Sequence, residues 1–238
     1  MLPVTVLSWM KNEEDILPFF LRHYSFADRI IVWDNGSTDR TRAILGAHPK
    51  VSVREWATGG EMRDLELTHM KSEEYRHTGP GWKIVVDADE FLWARDIRAV
   101  LERCERKGIR MPMTVGFDMV ADTMPKDDGM TPLTSLVKFG AHSPSYSKFC
   151  LFQNSVDIRF THGAHACKVR GKVRTGSHGY LFLLHYRWMG LDRILERGRR
   201  AVLSADNVRL GLGTEQKDEE RMRRKWKRLN ARKVKVLP

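Results

Sequence analysis

The chain has 238 residues, 42% of them apolar and 30% charged, which is enough apolar content for one substantial core and too much for a disordered chain. No run of about 18 apolar residues occurs, so a transmembrane helix is not expected. The N-terminus MLPVTVLSWMKNEED lacks the basic-then-apolar layout of a secretory signal, and a cytoplasmic location is the expectation. Cys104, Cys150 and Cys167 are an odd, scattered set without C-x-x-C, which argues against a disulfide framework and against a thiolate zinc site. The formal charge is +11, but residues 217–238 alone hold ten Lys/Arg against three Asp/Glu. The basicity is therefore mostly terminal, and that segment reads as a solvated helix, an anchor to anionic lipid or a nucleic-acid arm.

In chain order, Thr5 to Met10 is a short apolar run, and Asn12 is placed to cap a helix from about Glu13 to Phe26. Arg29 to Trp33 is a second buried run, followed by the turn Asp34-Asn35-Gly36, with Ser37 or Thr38 as cap of a helix ending near Gly46. Val51 to Glu55 predicts a third strand, Glu61 to Tyr75 a helix and Trp82 to Asp87 a fourth strand. This βαβαβαβ pattern implies a mainly parallel sheet covered by helices on both faces, with ligands beyond the carboxyl ends of its strands. After a helix over Ile97 to Lys107 the pattern changes to a strand near Thr114 to Val120, long loops, and short strands over 148–188. Gly190 to Leu203 resumes helical periodicity, and the basic tail follows. No repeat or low-complexity segment is present.

The stretch KIVVDADEFLW, Lys83 to Trp93, ends an apolar strand in three carboxylates. On an extended segment Asp87 and Asp89 share a face while Ala88 points away, so the pair can converge on one cation. Oxygen ligands suit Mg²⁺ or Mn²⁺, which bind through one or two carboxylates plus substrate phosphates, and a diphosphate-bearing substrate is implied. Glu90 faces away from the pair and reads as an orienting acid.

The segments KNEEDILPFFLRHY, IIVWDNGSTDRT, KIVVDADEFLW, SKFCLFQ, GAHACKVRG and LLHYR, in that order, resemble the GT-A glycosyltransferases related to glycosyltransferase family 2. The resemblance covers residues 4 to about 213. It implies a GT-A, Rossmann-like α/β fold in which 1–110 form a nucleotide-sugar-binding half and 111–213 an acceptor-side half, with 214–238 a basic tail. It implies transfer of a sugar from a nucleotide-sugar, UDP-linked by expectation, to a saccharide or lipid-linked acceptor in surface polysaccharide or glycolipid synthesis, with Mn²⁺ or Mg²⁺ on the D-x-D.

Within that resemblance, Asp34, Asn35 and Gly36 bind the donor's base or ribose, and His185, after the apolar run Tyr180 to Leu184, lies near the metal as a third ligand beside Asp87 and Asp89. Arg187, two residues on, shares the face of His185 and can meet phosphate. His165 forms an i, i+3 pair with His162, but no nearby acid or thiolate completes a zinc site, so His165 reads as lining a donor or acceptor pocket. An inverting transfer needs a carboxylate base, and Asp118, ending a strand-like run, is the choice among Asp118, Asp122, Asp127 and Asp128; Asp89 is the other catalytic carboxylate. The competing classes are an Mg²⁺-dependent nucleotidyltransferase, which lacks a phosphate-cradling glycine loop here, and a nucleic-acid-binding module driven by the tail. Since these elements end by about residue 213, the tail is expected to be dispensable for catalysis, its role being peripheral contact with an anionic inner membrane face.

Overall fold

A computed structural model describes residues 2–238, apart from the side chains of 177–179. The first half alternates β1 (Val4–Met10), α1 (Leu17–His23), β2 (Arg29–Asp34), α2 (Thr41–Gly46), β3 (Val51–Glu55), α3 (Asp64–Glu73) and β4 (Trp82–Val85). It continues through β5 (Glu90–Trp93), α4 (Ile97–Arg106), β6 (Met111–Ala121), α5 (Leu133–Leu136), β7 (Phe139–His142), β8 (Leu151–Gln153), β9 (Asp157–Phe160) and β10 (Cys167–Arg170). The long β11 (Thr175–Met189), α6 (Leu191–Arg200), α7 (Ala205–Leu210), α8 (Glu219–Arg232) and β12 (Val234–Lys235) complete the chain.

The central sheet has the order β3-β2-β1-β4-β8, with β3, β2, β1 and β4 parallel and β8 antiparallel. The fold is thus mixed α/β with a mainly parallel central sheet flanked by helices. β1 is buried along its whole length and β2 from Ile30 onward because both their faces are covered, whereas β3, on the edge, exposes four of its five residues. Of the described strands after β4, only β8 joins this sheet: β12-β7-β6-β11-β5 form a second five-stranded sheet, and β9 and β10 a separate ribbon. The turn between β4 and β5 crosses from one sheet to the other. A core of Val6, Phe20, Ile30, Ile84, Phe91 and Leu184, among others, joins the two sheets to α1 and α4.

Several local expectations need correction. α1 begins at Leu17 beside Pro18, with no side-chain cap; Asn12 takes a positive φ of 55° and its Oδ1 accepts from the Thr38 N–H at 2.8 Å, tying the exit of β1 to the loop after β2. Ser37 and Thr38 do not cap α2, which starts at Thr41, because Ser37 Oγ accepts from the Asn12 N–H instead. The fourth strand stops at Val85, so the carboxylates that follow it lie on a turn.

The largest correction concerns the C-terminus. α8 is part of the folded unit: Met222 and Leu229 are buried against Val120, Trp188, Ile194 and Leu195, and Leu237 enters the main core. β12 pairs antiparallel with β7, Val234 opposite Gly140 and Lys235 opposite Phe139. In RMRRKWKRLNAR, three apolar residues spaced at i, i+4 and i+7 were enough to define a buried stripe beneath the charges.

His23 donates through Nε2 to the Leu92 carbonyl at 2.8 Å and packs on Tyr24 and Phe91. Burial pushes its imidazole down to about 4, against a weaker upward pull from the Leu92 carbonyl. The unfolded chain then takes up a proton that the folded one refuses, so this contribution is complete above the ordinary value near 6.5 and is lost as pH falls towards 4. Denaturant titrations across that window should show falling stability in the native protein and a shallower fall in His23→Gln.

Candidate active site

A cavity of about 270 Å³ opens at the carboxyl ends of β1, β2 and β4. One part of its wall is Trp9, Trp56, Met62 and Leu67; another is Lys11, Glu13, Arg187, Arg197 and Arg200, with Asn35, Asp87, Ala88, Asp89, Tyr146 and His185 between them. This mixture of apolar and cationic lining suits a ligand with both a planar apolar part and an anionic part.

The turn after β4 carries the acids. The Glu90 N–H donates to the Asp87 carbonyl at 3.0 Å and the Asp87 N–H to Glu90 Oε2 at 3.2 Å, so Glu90 holds the turn closed. Glu90 is 1% exposed and its Oε1 is 2.7 Å from Lys148 Nζ, itself buried. Burial would lower the Lys148 ammonium, but Glu90 and Asp87 outweigh it and raise it above its ordinary value. Lys148→Met should cost about 3–5 kcal/mol in chemical denaturation, because it leaves Glu90 buried without its counter-ion.

Asp87 and Asp89 have different surroundings. Asp87 Oδ1 is 2.6 Å from Lys71 Nζ, a 3%-exposed ammonium on α3 that also lies 5.9 Å from the Trp9 ring centroid. Burial would raise the Asp87 carboxyl, but Lys71 and Lys148 overcome it and hold it low. Asp89 Oδ1 is 3.8 Å from His185 Nε2 and its Oδ2 is 3.9 Å from Arg197 Nη2. Here too burial pushes upward and is overruled, by His185, Arg197, Arg187 and Arg193, leaving Asp89 at about 2. Arg197 is held in turn by a two-pronged pair with Glu13, at 2.7 and 2.6 Å.

His185 sits beside Asp118 in the β6–β11 register. Its Nδ1 lies 2.7 Å from Asp118 Oδ1, which also accepts from Trp188 Nε1 at 3.0 Å. A carboxylate acceptor at Nδ1 fixes the ring so that Nε2 faces Asp89. Tyr146 stacks on the imidazole at 3.8 Å between centroids, fixing the ring from its face. Asp118 is 3% exposed and lies behind His185, off the cavity wall. In this arrangement its contacts to His185 and Trp188 both use Oδ1, so Asp118 orients His185 rather than facing the cavity as the general base expected from the sequence.

The other sequence-derived residues divide. Arg187 and Asn35 line the cavity, but Asn35 has both ends engaged: Nδ2 donates to Glu61 O at 2.9 Å and Oδ1 accepts from Thr58 Oγ1 at 2.5 Å. Asp34 is fully buried, accepts from the Ser37 N–H at 3.2 Å and faces Arg42 at 3.6 Å, so it shapes the loop without lining the cavity. Gly36 takes φ +67°, the left-handed turn that glycine permits. His165 is exposed, its Nδ1 3.1 Å from Ser145 O, and it lies off the wall as the edge partner of Tyr146. Glu13, Lys71, Tyr146, Lys148, Trp188 and Arg197 carried no readable signal, since each is an ordinary residue of a helix, loop or strand until the fold assembles it.

Among the described residues no three of His, Cys, Asp and Glu gather as a metal cluster; of the expected ligands, Asp89 and His185 lie 3.8 Å apart while Asp87 is engaged by Lys71. A carboxylate oxygen facing an imidazole nitrogen whose other nitrogen is held by a buried carboxylate is a donor set that fits Mn²⁺ or Mg²⁺, with phosphate and water completing the shell.

No family model matches the chain. Among solved structures it is similar to the crystal structure of S. aureus TarS, at 12% identity and a TM-score of 0.44, over 86% of this chain and 41% of that one. The chain thus spans less than half the length of that protein. The chemistry is read from the residues themselves.

Proposed function

We propose that this chain is a GT-A-type glycosyltransferase that takes a nucleotide-sugar, UDP-linked by preference, in the 270 Å³ cavity and passes the sugar to a saccharide or lipid-linked acceptor. The observation that carries the reading is the convergence, at the carboxyl ends of parallel strands, of the Asp87-Ala88-Asp89 turn with His185 and its Asp118 support. Trp9, Trp56, Met62 and Leu67 supply the apolar wall against which a base stacks. Lys11, Arg187 and Arg200 supply cationic groups for a diphosphate, and Arg197, already paired with Glu13, keeps Asp89 ionised. Asp89 and His185 would hold Mn²⁺ or Mg²⁺, which when bound neutralises charge on the leaving diphosphate. Asp118, held in turn by Trp188, keeps Nε2 of His185 aimed at Asp89.

The test is incubation with a panel of nucleotide-sugars, with and without Mn²⁺, following melting temperature and released nucleotide. Release of a nucleoside diphosphate supports the reading; release of a sugar 1-phosphate with transfer of the nucleotidyl group moves it to the nucleotidyltransferases, and no stabilisation by any nucleotide-sugar sinks it. Trp188→Phe removes one donor to Asp118 while keeping the ring. It is expected to weaken Mn²⁺ binding about tenfold, read by titration calorimetry, with the fold retained.

A further inference from the structure

We infer that the exposed side of α8 and the adjoining β12–β7 edge form a docking surface for an anionic lipid bilayer. Arg221, Arg224, Arg228 and Arg232 fall at i, i+3, i+7 and i+11 and are all exposed, on a stripe that flanks the buried Met222 and Leu229. The helix's acids are confined to its start, where Glu219 pairs with Arg199 and Arg223, and Glu220 with Arg224. Arg228, Arg232 and Lys235 therefore have no acidic partner among the described residues.

Exposed apolar side chains stand beside these cations. Leu136 is 46%, Phe139 46% and Val234 58% exposed, and the β12–β7 register sets Lys235 directly opposite Phe139. Leu136 ends α5 three residues before Phe139. Cations rimming aliphatic and aromatic side chains are complementary to a bilayer, where lipid phosphates meet the charges and the apolar groups enter the acyl boundary. A nucleic-acid strand would use the cations but stack successive bases on rings, and beside the single ring of Phe139 the patch presents the aliphatic Leu136 and Val234. No residue of α8 or β12 lines the cavity, so this surface stands independently of the glycosyltransferase reading.

The full-length protein should be sedimented with phosphatidylcholine vesicles and with vesicles containing phosphatidylglycerol, at low and high salt. Wild type is expected to sediment with the anionic vesicles at low salt, weakly with neutral ones, and less as salt screens the charges. Arg228→Glu/Arg232→Glu/Lys235→Glu should lower the partition coefficient at least about tenfold, since each change reverses a charge facing the anionic surface. Leu136→Ser/Phe139→Ser/Val234→Ser should leave binding at low salt and lose what remains at high salt. All six positions are solvent-facing, so melting temperatures should stay near wild type; if a variant does not fold, the wild-type salt and lipid series decides. Equal sedimentation with neutral vesicles, binding indifferent to salt, unchanged binding by the charge-reversed protein, or displacement from vesicles by a single-stranded oligonucleotide would each overturn the proposal.

Discussion

Asp89→Asn is expected to reduce sugar transfer by on the order of 10²–10³-fold or more, with a smaller loss of stability than Asp87→Asn. The lost charge stabilises several kcal/mol of developing charge in the transition state, and each 1.4 kcal/mol is a factor of ten. The stability loss is limited because Arg197 retains its two-pronged pair with Glu13 when Asp89 is neutralised. Asp87→Asn should behave differently: it strips the counter-ion from Lys71, which is 3% exposed, and so lowers both activity and stability. His185→Ala should lose less activity than Asp89→Asn, since water can replace a neutral ligand. Near-native turnover of Asp89→Asn at saturating Mn²⁺ would remove Asp89 from the chemistry. Equal stability losses for the two asparagine variants would contradict the different environments the structure gives them.

That contrast marks the limit of what sequence spacing conveys. The parallel half was legible because apolar runs at β1, β2 and β4 alternate with helical periodicity, and because acids at strand ends stand out against those runs. The same reasoning misjudged the geometry of Asp87 and Asp89, treating an extended strand where the chain turns after Val85. It also could not see Lys71, since a lysine in a helix reads as a solvated charge until α3 is laid against Trp9 and the turn. Asp118 was visible as an acid ending an apolar run. Its partner, and so its role, depended on a parallel pairing between β6 and β11 about 67 residues apart, which no local pattern encodes.

Removal of residues 217–238 is expected to destabilise the protein severely and to abolish activity even on a soluble acceptor. The segment buries Met222, Leu229 and Leu237, each worth about 1.5–3 kcal/mol, so the loss is about 5–9 kcal/mol before the β12–β7 pairing is counted. That is comparable to the whole stability of a typical domain, although partial burial in the unfolded chain makes it an upper figure. The cut also uncovers Trp188, whose indole lies beneath Lys225 at 4.8 Å and donates to Asp118, so damage reaches His185 through two contacts. Leu229→Ala, expected to cost about 2–5 kcal/mol, supplies an intermediate point on the same scale. Thermal unfolding of the truncated chain, followed by circular dichroism and compared with nucleotide-sugar turnover, separates the outcomes. A truncated protein that melts cooperatively near the wild-type temperature and turns over normally would make α8 an appendage, whereas loss of both assigns its buried face to the fold and leaves only its exposed cations free for another surface.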